Sequence, residues 1–251
     1  DAGWGFILET PTWRANRDWG EKLGYSWERL YAANQKSVRF MAALREAYET
    51  PQTRMVISGN IGPRGDGYNP ADLMTPDQAA DYHRDQIEAF AEAGADLVTT
   101  LTMTHVGEAV GITRAAQAAG MPVVISFTTE TDGRIPTTQT LGNAIEEVDR
   151  MTDNGPAYYM VNCAHPTHFD DALQTDEPWI KRLRGIRANA STKSHEELDN
   201  STELDEGNPA ELGAQYRAIR ERMPHVTILG GCCGTDHRHV AQICSACRLA
   251  A

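Results

Sequence analysis

The length, composition and charge of the chain exclude several classes of protein. It has 251 residues, of which 41% are hydrophobic, and its formal net charge is −12 at pH 7. It is long enough for one large core, but it lacks the basic face that a nucleic-acid partner requires. The sequence contains no run of about 18 apolar residues, which a membrane-spanning helix would require. We therefore expect one globular domain over residues 1–251, with neither a nucleic-acid nor a membrane partner.

The cysteines indicate a reducing compartment. There are five, and two of them, Cys232 and Cys233, are adjacent. Neighbouring cysteines do not easily bridge to each other, and the chain is too long for a small secreted disulfide scaffold. Metal-bound or free thiols in the cytoplasm are therefore the better interpretation.

Seven short, mostly apolar runs predict buried strands, because they lack the polar alternation of a half-exposed sheet. They cover residues 5–8, 55–58, 96–100, 122–127, 158–162, 185–188 and 226–229. The chain begins at Asp1 rather than at a methionine, almost directly before the first run. We interpret this as a missing first strand.

Helices with recognisable ends fill the gaps between these strands. Thr75, Pro76 and Gln78 supply an N-cap, a proline in the first turn and a capping box for a helix that runs to Gly94. Further helices are predicted over 107–119 and 141–151, and another opens at Asn208-Pro209.

Strands that alternate with helices predict an α/β fold with parallel pairing. The count favours a (β/α)8 TIM-type barrel that lacks its first strand in this chain. The rival is an open doubly wound sheet, which usually carries a glycine-rich loop after its first strand. Residues 10–13 read Thr-Pro-Thr-Trp instead, so the barrel is preferred.

The longest irregular polar stretch covers residues 191–207 and is rich in acidic side chains. A solvated acidic loop is the plain interpretation. A loop of this length could also serve as a lid or as a contact between subunits. A homo-oligomer is therefore a further expectation for this chain.

Three cysteines follow predicted strands directly. Cys163 ends the fifth run, and Cys232 and Cys233 follow the seventh in Gly-Gly-Cys-Cys-Gly-Thr. The carboxyl ends of barrel strands converge on one face, so these thiols are expected to meet there. Three thiolates with one open position are typical of a catalytic zinc site, and soft sulfur selects Zn²⁺ over Mg²⁺. Such a site suits alkylation of a substrate thiol, with no separate general base.

Two other interpretations of the cysteines stay open. A single Cys such as Cys163 is most often a small buried hydrophobe. Cys244 and Cys247 form a CxxC that, with Cys232 and Cys233, would make a structural four-cysteine zinc module acting in protein interaction. The helical spacing of Cys244 and Cys247 counts against that module.

The cysteine motifs also carry a family resemblance. Val-Asn-Cys at 161–163 and Gly-Gly-Cys-Cys-Gly-Thr at 230–235 resemble the paired signatures of the homocysteine S-methyltransferase family. Thr-Pro-Thr-Trp-Arg-Ala at 10–15, the segment 58–63 and Ser-Phe-Thr at 126–128 are similar to other family segments.

The resemblance implies a (β/α)8 barrel and a zinc ion held by Cys163, Cys232 and Cys233. It also implies methyl transfer to homocysteine, which forms methionine. Members of the family differ in donor, which is S-methylmethionine, S-adenosylmethionine, betaine or a methylated folate. Because the sequence offers no folate or cobalamin module, we expect a small cationic donor of the S-methylmethionine, S-adenosylmethionine or betaine type. Two departures matter: the first strand with its acidic Gly-Gly turn is absent, and residues 101–104 lack the family's usual glutamate. A barrel that binds zinc without catalysis is therefore the alternative.

Three further residues are candidates for substrate binding. Glu130 resembles a pocket glutamate of the betaine-using branch that pairs with the substrate ammonium, although a solvated loop glutamate is equally consistent. Asn162 is a candidate to hydrogen-bond beside the zinc, or else caps its strand. Trp13 is a candidate to face a cationic donor, or else packs at the barrel mouth. We expect His165 and His168 to be surface residues, and His105, His237 and His239 to be structural.

Overall fold

A computed structural model describes residues 3–68, 70 and 73–248 of the chain. Two compact units contain these residues. The first reaches to Ile125 and includes Glu147–Ala157, and the second comprises Ser126–Glu146 together with the chain from Tyr158 onward. The expectation of one domain over 1–251 stays a prediction.

The described residues form seven strands: β1 Phe6–Glu9, β2 Met55–Ile61, β3 Leu97–Met103, β4 Val123–Phe127, β5 Tyr158–Asn162, β6 Leu183–Ala188 and β7 Ile228–Gly231. Their order in the sheet is the order of the chain, β1 to β7. The pairs β1–β2, β2–β3, β5–β6 and β6–β7 are parallel. This confirms the α/β fold of the TIM-barrel type, short of one strand, and each strand lies within three residues of its predicted position.

The helices of at least four residues are α1 Arg17–Lys22, α2 Trp27–Tyr48, α3 Pro76–Glu92, α4 Val106–Ala118, α5 Leu141–Thr152, α6 Pro166–Phe169, α7 His195–Asp199, α8 Pro209–Arg222 and α9 His237–Ala246, and short 3-10 turns cover Asp171–Leu173 and Pro178–Arg182. The predicted capping box at Thr75 and Gln78 is present in both directions. Asn208 caps α8 by accepting hydrogen bonds from the N–H groups of Ala210 and Glu211. None of the helices formed by described residues is both long and apolar enough to cross a bilayer.

The strands that precede the cysteines lie within the second unit. In β5, Tyr159, Met160 and Val161 are almost fully buried, and in β6 Ile186 is fully buried. α8 packs its predicted apolar stripe inward, with Leu212, Tyr216, Ile219 and Met223 all buried. Burial of these side chains anchors the ends of β5, β6 and β7, and the residues that follow each strand therefore start from a fixed position.

Candidate metal centre

The three predicted cysteines come together in the second unit. The sulfur atoms of Cys163, Cys232 and Cys233 all lie within 4.8 Å of one another. Cys163 and Cys232 form a disulfide, and the Cys163 and Cys233 sulfurs are 3.8 Å apart. Among the residues that the structure describes, this is the one group of three or more cysteine, histidine or carboxylate side chains close enough to share a metal ion.

Parallel strand ends place these cysteines. Cys163 follows β5 directly, and its N–H donates to the carbonyl of Arg187 at 3.1 Å. Cys232 follows β7, and its N–H donates to the carbonyl of Ala188 at 2.8 Å. Both bonds continue the sheet pairing with β6. Strand β6 thus brings together Cys163 and Cys232, which are 69 residues apart in sequence.

Backbone conformation then turns the cysteines toward each other. Cys163 has φ of +54°, a left-handed conformation that costs a non-glycine residue about 1–3 kcal/mol. Gly231 cannot carry a side chain, because a Cβ there would overlap Thr235. Gly234 has φ of +77°, and a Cβ there would lie 2.6 Å from the Asp205 carbonyl oxygen. Close contacts therefore require the glycines that flank the cysteine pair, with the Thr235 side chain at Gly231 and with the Asp205 backbone at Gly234.

Asn189 joins the two cysteine loops, and the sequence analysis did not identify it. Its side chain is 1% exposed. The Nδ2 donates to the carbonyl of Cys163 at 3.0 Å, and the Oδ1 accepts from the N–H of Cys233 at 3.1 Å. The available signal was its position directly after β6, which is equivalent to that of Cys163 after β5 and Cys232 after β7.

Asn162, which ends β5, also contacts the cluster. It is 1% exposed, and its Oδ1 accepts a hydrogen bond from the Ser126 hydroxyl at 2.7 Å. That bond directs the Nδ2 toward the Cys232 sulfur at 4.0 Å. A side-chain amide this close to a sulfur can donate to a thiolate and stabilise its charge.

The other two substrate-binding candidates are Glu130, which belongs to the second unit, and Trp13, which belongs to the first. Glu130 lies in the turn after β4, with Oε1 3.5 Å from Nδ1 of His195, and its side chain is 39% exposed. Trp13 belongs to the first unit, where its indole N–H donates to the Leu101 carbonyl at 3.1 Å. A Cβ on Gly62 would lie 2.8 Å from the Trp13 ring, and the Arg14 guanidinium lies 4.7 Å over that ring. Packing thus fixes Trp13.

The histidine expectations need one correction. His165 is not a surface residue, because it is 4% exposed. Its Nδ1 accepts from the Thr167 N–H at 3.3 Å and so caps α6. Burial, followed by the charge of neighbouring His168, lowers the pKa of His165 to about 4, which keeps the ring neutral at pH 7. His168 is half-buried, with its Nε2 2.9 Å from the Thr192 carbonyl oxygen, and His239 is fully buried.

Cys244 and Cys247 are separate from the cluster. They are absent from the group of three sulfurs, and burial is the main cause that raises the pKa of each. The described residues therefore do not assemble the four-cysteine module.

A family model described as homocysteine S-methyltransferase matches residues 1–247. The chain belongs to the homocysteine S-methyltransferase family. It is therefore an S-methyltransferase, and methyl transfer to homocysteine is the activity that this membership supports. A search of curated protein sequences found no match.

Solved structures of a homocysteine methyltransferase, MmuM from Escherichia coli, have the same fold. The metallated form gives a TM-score of 0.73 at 18% identity, over 96% of this chain and 78% of that chain. The oxidised form gives 0.74 at 19% identity, over 95% and 78%. The apo form gives 0.67 at 20% identity, over 96% and 79%. At these identities the likeness shows the fold of this family member and no more.

Proposed function

We propose that this methyltransferase is zinc-dependent and transfers a methyl group from a small cationic donor to the thiol of homocysteine, forming methionine. The observation that carries the proposal is the set of three cysteine sulfurs within 4.8 Å of one another. Three soft donors suit Zn²⁺ and leave one tetrahedral position for a substrate sulfur. When bound, zinc would lower the pKa of the substrate thiol and would leave its sulfur nucleophilic.

Cys163, Cys232 and Cys233 would hold the metal, all three as thiolates. The disulfide between Cys163 and Cys232 is incompatible with that role, because bonded sulfurs no longer carry the thiolate charge that binds a metal. The active form would therefore be the reduced protein. A reducing, cytoplasmic location follows as part of the proposal.

The chain's other candidates would orient the substrates. The Glu130 carboxylate, 39% exposed, would pair with the ammonium of homocysteine. Asn162 would donate its amide N–H to the Cys232 sulfur, as its 4.0 Å distance suggests. Trp13 stays a candidate to face the cationic donor, although Arg14 already lies over its ring, so the donor would have to approach another part of the indole.

Methyl transfer would be an in-line displacement. The homocysteine sulfur attacks the methyl carbon, a new S–C bond forms, and the bond from that carbon to the donor's sulfonium or ammonium centre breaks. The bond electrons stay with the donor, which leaves neutral, and the thiol proton goes to solvent. Proximity and orientation would supply much of the rate.

Metal analysis and assay of the reduced protein test the proposal together. We expect about one zinc per chain, lost in Cys163→Ser, Cys232→Ser and Cys233→Ser. Cys244→Ser and Cys247→Ser are the matched controls and should retain it. Each donor type is then assayed with homocysteine. Zinc lost in Cys247→Ser but kept in Cys163→Ser would contradict the site. Bound zinc with no methyl transfer from any donor would favour the alternative of a zinc-binding barrel without catalysis.

X-ray absorption at the zinc edge tests how the substrate binds. Because three thiolates leave one position, saturating homocysteine should replace a light-atom ligand by a fourth sulfur. A first shell that keeps its light-atom ligand would contradict direct binding of the substrate thiol.

A further inference from the structure

The acidic segment 191–207 is more ordered than its composition predicts. It contains α7, whose capping box is formed by Ser194 and Glu197. The first residue of that helix, His195, is 6% exposed. A solvated loop would expose its histidine, so the segment directs this ring into the protein.

The His195 ring reaches the backbone of a cysteine. Its Nε2 lies 2.6 Å from the carbonyl oxygen of Cys163. Since a carbonyl oxygen can only accept, Nε2 must carry the hydrogen. Asn189 donates to the same oxygen at 3.0 Å. The Thr128 hydroxyl also donates to this oxygen, at a longer 3.5 Å. Of the three donors His195 is the nearest, and together they hold the carbonyl of Cys163, whose backbone is left-handed.

The other end of the segment is anchored independently of His195. The Ser191 hydroxyl donates to Asp205 at 2.8 Å. The backbone carbonyl of Glu206 accepts from His239 Nε2 at 2.8 Å, and the Glu206 side chain pairs with Arg238 at 2.7 Å. His239 and Arg238 belong to α9, which begins shortly after the cysteine pair. A change at His195 should therefore leave the rest of the segment in place.

We propose that His195 is a positioning residue for the cysteine cluster. By donating to the Cys163 carbonyl, His195 holds the Cys163 sulfur where it meets the sulfurs of Cys232 and Cys233. The bearing on methyl transfer rests on the proposed function, whereas the effect on the cysteines does not. The hydrogen bond fixes the peptide that follows Cys163, and with it the direction of the Cα–Cβ bond. Partners that orient a metal ligand from outside typically change metal affinity by about 10–100-fold when they are lost.

Two measurements on the full chain test the proposal. The first is zinc affinity of the reduced protein, by competition with a chromophoric chelator. The second uses metal-free protein and measures the equilibrium constant for forming the Cys163–Cys232 disulfide in glutathione redox buffers. There, oxidised glutathione takes two electrons and two protons from the two thiols and yields the disulfide and two reduced glutathiones. Both readouts depend on how well the sulfurs are aligned, and the second requires no metal.

The variants separate the hydrogen bond from the bulk of the ring. His195→Phe keeps a ring and removes the donor, and His195→Ala replaces it if the phenylalanine does not fold. His195→Gln restores an N–H donor. The matched control is His225→Phe, because His225 Nε2 makes the same kind of bond, 2.9 Å to the Ile180 carbonyl, away from the cysteines.

We expect His195→Phe to weaken zinc binding about 10-fold or more and to lower the equilibrium constant for the disulfide, with partial recovery in His195→Gln and no change in His225→Phe. A change in either readout that glutamine partly reverses supports the proposal. Values equal to wild type or to His225→Phe in both readouts overturn it. Absence of zinc from the wild-type protein would overturn the proposed function instead, and the disulfide equilibrium would still decide the role of His195.

Discussion

Two buried polar clusters, one in each unit, are built in opposite ways. In the first unit the Glu108 side chain is 1% exposed, and its Oε1 accepts from the Arg64 N–H at 2.7 Å and lies 2.8 Å from His83 Nε2. In the second unit the accepting group is instead the backbone carbonyl of Cys163, which Asn189 and His195 contact.

This difference distinguishes a structural cluster from a reactive one. The Glu108 carboxylate holds parts of the chain together, because its Oε1 bonds to a backbone and a ring group and its Oε2 lies 3.7 Å from His105 Nδ1. At Cys163 the backbone takes those bonds, and the sulfur is directed toward the other two cysteines. In this chain the buried polar contacts of the second unit fix a reactive side chain through its own backbone, whereas those of the first unit satisfy a buried carboxylate.

The largest effect is expected in the first cluster. Glu108→Ala leaves the Arg64 N–H and His83 without their buried acceptor, so the free energy of unfolding should fall by about 3–5 kcal/mol. Urea unfolding of the reduced, metal-free protein measures it, with exposed Glu46→Ala as the control. Zinc affinity of the folded fraction should not change. A loss below about 1 kcal/mol would mean that the carboxylate is not structural.

Asn189→Ala should instead act on zinc. It removes the donor to the Cys163 carbonyl and the acceptor for the Cys233 N–H, so zinc affinity should fall by about 10–100-fold. The control is Asn34→Ala in the first unit, since Asn34 is also buried and donates to two carbonyls, those of Ala15 and Leu30. It should lose stability but retain zinc affinity. Equal zinc loss in both variants would remove the contrast between the clusters.

Tyr216→Phe should have a smaller effect, at the base of the cysteine loops. The hydroxyl accepts from the Ala188 N–H and donates to the Gly230 carbonyl, each at 2.7 Å. Burial raises the pKa of Tyr216, so the hydroxyl keeps its hydrogen and bridges the ends of β6 and β7. The free energy of unfolding should fall by about 1 kcal/mol. Exposed Tyr48→Phe is the control, and an equal, near-zero change in both would refute the bridge.

The smallest effect is a pH dependence at the anchored end of segment 191–207. The hydrogen bond from Ser191, followed by that from the Gly207 N–H, lowers the pKa of Asp205. A carboxyl with a depressed folded pKa stabilises the folded state above the unfolded pKa near 4, and that contribution is lost as pH falls through the lower folded value. Asp205→Asn should flatten this part of the stability curve of the metal-free protein. An unchanged slope would show that the anchor does not depend on the charge.

Local sequence patterns were sufficient for most elements. The Thr75 capping box and the Asn208-Pro209 helix start are contacts within three residues, so propensity and spacing determine them. The strands were recognised because both of their faces are apolar. Segment 191–207 was misjudged in part: its composition indicates a solvated loop, but the burial of His195 depends on a carbonyl 32 residues away in the chain.

By itself the sequence determined the alternation of strands and helices, the family, and the identity of the three cysteines, because these depend on short motifs and on the rule that parallel strand ends share one edge. Only the tertiary structure decided how those cysteines are held. Asn189 contacts Cys163 and Cys233 across 26 and 44 residues, and His195 reaches Cys163 from a segment that looks unstructured. Such contacts are single hydrogen bonds between short polar side chains and distant backbone atoms. They leave no periodicity in the sequence, and they exist only after β5, β6 and β7 have paired.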